Sequence, residues 1–179
     1  SKLALAFLKA GWKVDVISRK DEGNAYSSNW DNEWKKLQHL THEVVYPTGN
    51  KLERFWDTVT SRFTMGIPLE GVRWANRAYK KAIELHEENN YDVVISRSPS
   101  DISHLPAYHF AKKTGVHWIA NWNDPVVNIW PEPYTQKMSF WKKILYKKFT
   151  DTIIENANIN TFPSEDLRDY FMRFSKNLK

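Results

Sequence analysis

At 179 residues, 41% hydrophobic and 26% charged, the chain has the size and composition of one globular domain with a substantial core. It contains no cysteine, which excludes a disulfide framework and thiolate chemistry. Lys and Arg number 26 against 21 Asp and Glu, a net charge of +5, which suits polyanionic partners, anionic headgroups or phosphorylated substrates as well as an ordinary protein surface. No window reaches the roughly 18 consecutive apolar residues of a spanning helix, and the N-terminus lacks a signal-peptide layout. With no Asn-x-Ser/Thr sequon present, the expected location is cytoplasmic. Nine Trp, nine Phe and eight Tyr exceed what such a core needs, so some are expected to line a cleft or contact surface.

The chain opens on a predicted helix in which Leu3, Ala6, Phe7 and Ala10 fall on one face and Gly11 supplies a left-handed cap. It runs into "WKVDVISR", where Val14, Val16 and Ser18 alternate with Asp15 and Ile17 as in a strand. Residues 20–42 read as a polar loop with a short helix near 33–40, and "EVVYP" at 43–47 as a second strand. A helix follows over "KLERFWDTVTSRF", then a break at Gly66-Ile67-Pro68 and a longer helix from about 71 to 90, with Val72, Ala75, Tyr79, Ala82, Ile83 and His86 on its inner face. Strand "YDVVISRS", helix "ISHLPAYHFAKKTG", strand "VHWIAN", a polar loop over 121–137, a helix over 138–156, strand "NINTFP" and a final helix capped by Ser164 complete the order. Short apolar strands alternating with helices predict an α/β fold, a Rossmann-like parallel sheet with helices on both faces.

In such a sheet, ligands meet the carboxyl ends of the strands, where loops and helix N-termini converge. Two exits are rich in polar groups, "ISRSPSDISH" and "ANWNDPVVN". If their strands are neighbours, Ser96, Arg97, Ser98, Ser100, Asp101, His104, Asn121, Asn123 and Asp124 crowd one edge. Each has a plainer reading. Asp124-Pro125 starts turns, Ser100 or Ser103 can be a helix cap, His104 can be solvated in a first turn, and Arg97 can pair with a carboxylate or bind a phosphate.

The six glycines form neither a dinucleotide fingerprint nor a P-loop, and no G-x-S-x-G elbow occurs. His39 and His42 stand three apart without a third ligand at useful spacing, so no metal is expected. Basic residues are spread rather than clustered with stacking aromatics, so nucleic acid is not an expected partner. "MSFWKKILYKKFT", residues 138–150, supports two readings: a helix docked by its apolar side, or one lying in an anionic lipid interface.

The order Gly11 to Val16, the Asp92 to Pro99 run, His104 on its helix, the run through Asp124-Pro125, and Ala157 to Leu167 resembles the N-terminal domain of retaining GT-B glycosyltransferases, family 4 in particular. The resemblance spans nearly all of residues 1–179. It implies a single lobe, the acceptor-binding half of a hexosyltransferase-type enzyme in polysaccharide or glycoconjugate biosynthesis, inactive alone. The family's Asp-x-Arg-Asp-Pro-Trp reads Asn121-Trp122-Asn123-Asp124-Pro125-Val126 here, which places Asn123 at the Arg position. By resemblance, Asp124 and Asn123 are the candidate catalytic residues, and Arg97, Ser98, His104 and Asn121 bind substrate, with no bound cofactor beyond a nucleotide-sugar donor in the full-length enzyme. The family's first strand and its C-terminal nucleotide-sugar domain, with a Glu-x7-Glu pair, have no counterpart in these residues. Expected partners are a sugar or lipid-linked acceptor, that C-terminal domain and an anionic membrane surface, which places the protein peripherally at the inner membrane face. The alternative is a non-catalytic Rossmann-like binding or regulatory module.

Overall fold

The computed structural model describes residues 2–20, 37–45, 49–67, 69–98, 101–124 and 139–175. In chain order its elements are α1 (Lys2–Lys9), β1 (Val16–Lys20), β2 (Thr41–Val45), α2 (Lys51–Met65), α3 (Val72–Asn89), β3 (Val93–Arg97), a 3₁₀ turn (Asp101–Ser103), α4 (His104–Thr114), β4 (His117–Asn121), α5 (Phe140–Asn156), β5 (Ile159–Thr161) and α6 (Glu165–Phe174). The fold is α/β and Rossmann-like, and all pairing among the described strands is parallel. The sheet comes in two pieces rather than one: β1 pairs with β2, and β3-β4-β5 form a separate ladder.

Local signals placed the helices well. Asn50 caps α2 in a reciprocal box with Glu53, Ser164 accepts from the Leu167 N–H at the start of α6, and Gly66 and Gly115 end their helices in the left-handed region. Gly71 is constrained twice. Its φ is +84°, and a Cβ there would come within 3.2 Å of Ile102, so only glycine lets the start of α3 approach the 3₁₀ turn.

Helices α3 and α4 join the two sheets. α3 packs on β1 and β2, α4 packs on β3 and β4, and the two helices pack on each other. The core they enclose includes Val72, Ala75, Ala78, Leu105, Trp118, Phe149 and Ile153. α2 is tied to α3 by Arg73, whose Nε donates to Asp57 at 2.7 Å, and to α4 by His109, whose Nε2 donates to the Met65 carbonyl at 3.0 Å. The buried face of α3 also takes in Trp74 and Leu85, off the stripe read from spacing, because this helix is covered from two directions.

At the amino ends of the strands, Asp15 clasps the two sheets. Its carboxyl accepts from His42 Nε2 of β2 at 2.7 Å and from the Tyr91 hydroxyl, just ahead of β3, at 2.5 Å. Burial, and then the hydrogen bond to Asp15, hold the Tyr91 hydroxyl well above the ordinary phenol range, so it stays a donor. Tyr91→Phe is expected to cost about 1–2 kcal/mol, the worth of a hydrogen bond to a charged group at a half-buried site. Urea unfolding measures that loss, and amide exchange in β1 and β2 should accelerate more than in β4.

Candidate functional site

The register β3↔β4↔β5 brings Arg97 level with Asn121, and Asn121 level with Thr161, so three strand ends finish together. Along β4 the side chains alternate, as a strand requires. Trp118, Ala120 and Trp122 are fully buried on one side, while Asn121, Asn123 and Asp124 are half-buried at the exit. Trp122 is the pivot. Its N–H continues the ladder to the Thr161 carbonyl at 2.9 Å, and its indole Nε1 donates to Asn160 Oδ1 at 3.0 Å. Its ring packs against Phe171 of α6 and against the His104 imidazole, at 4.8 and 4.2 Å between centroids.

Beneath this exit lies a buried polar chain. The Trp118 indole N–H, which can only donate, reaches Ser96 Oγ at 2.8 Å, and Ser96 Oγ lies 2.7 Å from His104 Nδ1. The arrangement that leaves fewest groups unpaired has the Ser96 hydroxyl donating to Nδ1, with the ring proton on Nε2. His104 has no exposed surface, its Nε2 finds no partner among the described residues, and burial pushes its pKa down to about 3. It is a neutral imidazole at every ordinary pH.

The two polar exits are locked together. The Ser98 N–H donates to the Asn121 carbonyl, the Asn123 N–H donates to Ser98 Oγ at 2.8 Å, and the Asn123 side-chain amide donates to the Ser98 carbonyl. Asn121 Nδ2 donates to Thr161 Oγ1 at 2.8 Å. Ser103 makes no cap with its hydroxyl, which donates back to the Arg97 carbonyl at 2.7 Å.

Beside this lock Asp101 and Asp124 come close enough for their charges to interact. Asp101, in the 3₁₀ turn, has its carboxyl pushed up to about 7, first by burial and then by the neighbouring charge of Asp124. Tyr146 of α5 is also raised, by burial and by the charges of Asp101 and of Glu70 beside Gly71. A carboxyl raised in this way, beside a second one from the neighbouring strand exit, is suited to holding and releasing a proton near neutrality.

The expected site residues are thus redistributed. Asp124 stands at the exit beside Asp101, and Arg97 is exposed at the end of β3. Ser98 and His104 are buried and internally bonded rather than facing a cleft, because the aromatic pivot of Trp122 and the loop lock cover them. Asn121 and Asn123 serve chiefly as ties between strand ends. Asp101 and Tyr146 complete the group. Asp101 is among the residues expected to crowd the exit but was given no role of its own, and nothing in one-dimensional spacing brings Tyr146 of α5 near it. Ser100 and the loop from Pro125 through 137 lie outside the described residues, as does the first half, 33–36, of the helix expected at 33–40. Among the described residues no three His, Cys, Asp or Glu side chains gather as metal ligands, and His42 is engaged by Asp15.

No protein-family model matches the chain, and no match is found among curated proteins or solved structures.

The two shifted groups have opposite effects on stability. Between about pH 4 and 7 folded Asp101 keeps a proton that the unfolded chain releases, so stability falls as pH rises. Between about pH 3 and 6.5 unfolded His104 holds a proton that the folded state rejects, so stability rises with pH. Each slope is about 1.4 kcal/mol per pH unit, and in the overlap they cancel. Asp101→Asn should therefore steepen the rise of stability from pH 4 to 6.5 relative to the parent chain, in which His109, also lowered by burial, adds to that rise. Urea midpoints across that range measure it.

Proposed function

We propose that this domain is the acceptor-binding lobe of a GT-B glycosyltransferase, which transfers a sugar from a nucleotide-sugar donor to a sugar or lipid-linked acceptor. The observation that carries the reading is the pairing of Asp101 with Asp124 at adjacent strand exits, one of them titrating near neutrality. The order of motifs along the chain supports it. In this reading Asp124 accepts a hydrogen bond from the acceptor hydroxyl. As that oxygen bonds to the sugar's anomeric carbon and the bond to the donor's diphosphate breaks, the hydroxyl proton passes to the carboxyl pair. Asn123 is a positioning residue that fixes Asp124 through the Ser98 lock, and exposed Arg97 meets phosphate of donor or acceptor. The second lobe supplies the donor site and most of the stabilisation of the leaving diphosphate.

The full-length chain, assayed with a panel of nucleotide sugars and lipid-linked acceptors, tests the reading. Asp124→Asn and Asp101→Asn should each lower kcat by about a hundredfold or more, the scale of a lost general-base group, with circular dichroism unchanged. Asp101→Asn should also remove an inflection near pH 7 from the kcat profile. Undiminished transfer by both variants would end the assignment. The internal engagement of Ser98, Asn121 and His104 favours a second reading, a binding module without chemistry. Absence of transfer across the whole panel would select it.

Membrane contact belongs to the same proposal. No helix among the described residues is long and apolar enough to cross a bilayer. The amino half of α5, however, exposes Phe140, Trp141 and Ile144 beside Lys142, Lys143 and Lys148, while its carboxyl half buries Phe149, Ile153 and Ile154. That division lets one helix dock on the core and lie on an anionic leaflet at the cytoplasmic face. Sedimentation with phosphatidylglycerol vesicles at low salt should capture the protein, and a triple variant Trp141→Ala, Lys142→Glu, Lys143→Glu should stay in the supernatant. Capture should weaken steeply as salt rises.

A further inference from the structure

Helix α2 is amphipathic with its faces reversed. The side it lays on α3 is polar: Asp57 accepts from Arg73 Nε at 2.7 Å, Asn76 Nδ2 donates to Ser61 Oγ at 3.2 Å, and the residues it buries are Ser61 and Met65. The opposite side is apolar and turned to solvent. There Leu52 is 67% exposed, Phe55 58%, Trp56 59% and Phe63 85%, with Val59 half-buried among them. Single exposed apolar residues are ordinary, but five on one helix face make an interaction surface. Leu52, Trp56, Val59 and Phe63 follow one another at intervals of four, three and four, the spacing of a seam between two packed helices. Phe55 and Arg62 border the seam on one side, Glu53 and Thr60 on the other. An anionic bilayer calls for cations along such a border, and the carboxylate of Glu53 opposes it. The seam therefore fits a protein partner.

We propose that α2 is a homodimer contact, packing antiparallel on α2 of a second copy of this chain. The seam is complementary to itself in that orientation. With the twofold axis between Asp57 and Thr58, Leu52 meets Phe63 of the second copy and Trp56 meets its Val59. Each layer sets one ring against one aliphatic side chain, and the axis repeats both layers. In an antiparallel pair each border faces its own kind, so Arg62 reaches the Phe55 ring of the second copy as a cation–π contact, and Glu53 lies beside Thr60. Like charges stay apart: the two Arg62 are separated by about 13 Å along the axis at 1.5 Å per residue, and Lys51 and Arg54 fall outside the seam. Phe55 and Trp56 already pack edge to face, 5.4 Å between centroids, which orders the rings before contact. At about 150–250 Å² per aromatic side chain, the two stripes hide on the order of 1,000 Å², the lower bound of a specific interface. The dimer is thus weak and reversible. The inference stands apart from the transfer reading and uses none of its residues.

Sedimentation velocity from micromolar to millimolar protein should show a monomer–dimer equilibrium. Val59→Arg and Trp56→Ala, both on the outward face and expected to leave circular dichroism unchanged, should each weaken it about tenfold or more. The chain has no cysteine, so directed crosslinking reads the register without background. Under mild oxidation, a mixture of Leu52→Cys and Phe63→Cys chains should form a disulfide dimer. Leu52→Cys chains alone should not, because the two positions lie about 16 Å apart in the antiparallel pair. A chain that stays monomeric at every concentration, dimerisation indifferent to both variants, or self-crosslinking of Leu52→Cys chains would overturn the proposal. So would capture by phosphatidylglycerol vesicles that Val59→Arg abolishes while the parent chain remains monomeric, a result that gives the face to lipid.

Discussion

Burying an indole N–H without an acceptor is costly, and the β3-β4-β5 sheet gives an acceptor to two of them. Trp118 in β4 and Trp122 just after it lie on the same side, both without exposed surface, and each has an acceptor on a neighbouring strand: Ser96 on β3 for one, Asn160 on β5 for the other. These bonds run across the ladder and so fix the two outer strands to the central one at the level where the loops begin. Ser96, committed to Trp118, has one proton left for His104, which in turn stacks on Trp122. The polar residues of the exits are arranged on top of this aromatic floor.

The floor also accounts for the electrostatics. A dry surface beneath the exit excludes water from whatever sits close to it, and desolvation disfavours the charged form of acid and base alike. Burial drives His104, packed on Trp122, down and Asp101 up, leaving one neutral base and one carboxyl titrating near neutrality. The charge of Asp124 adds to the upward push on Asp101.

Element types were legible because their signals are local. Gly11, Gly66 and Gly115 ended helices as expected, Asn50 and Ser164 capped them, and the alternation of apolar strands with helices gave the parallel α/β class. Strand limits shifted: β1 begins at Val16 rather than Val14, because pairing with β2 and not hydropathy decides where a ladder starts. Sequence pointed to two exits that the β3–β4 register makes neighbours, but not to which side chains there remain available. Ser98, Asn121 and Asn123 look like ligand-binding residues in one dimension. The demand that buried polar groups be satisfied consumes them as cross-strand ties. Asp101 escaped selection since its significance depends on Asp124 and on burial, neither visible in local spacing.

The division of the sheet has a dynamic consequence. Ladder hydrogen bonds couple β3, β4 and β5 cooperatively, whereas β1 and β2 are held to them by the α3–α4 contact and by the single clasp of Asp15 on Tyr91. Side-chain ties of this kind contribute about 0.5–3 kcal/mol each, so the smaller sheet can open at a free energy well below that of global unfolding. Asp101, Asp124, Arg97 and the tryptophan floor all belong to the larger unit. The candidate site can therefore keep its geometry while the other half of the domain loosens. Anything that adds hydrogen bonds between β1 and β3 would turn two cooperative units into one without touching the carboxyl pair.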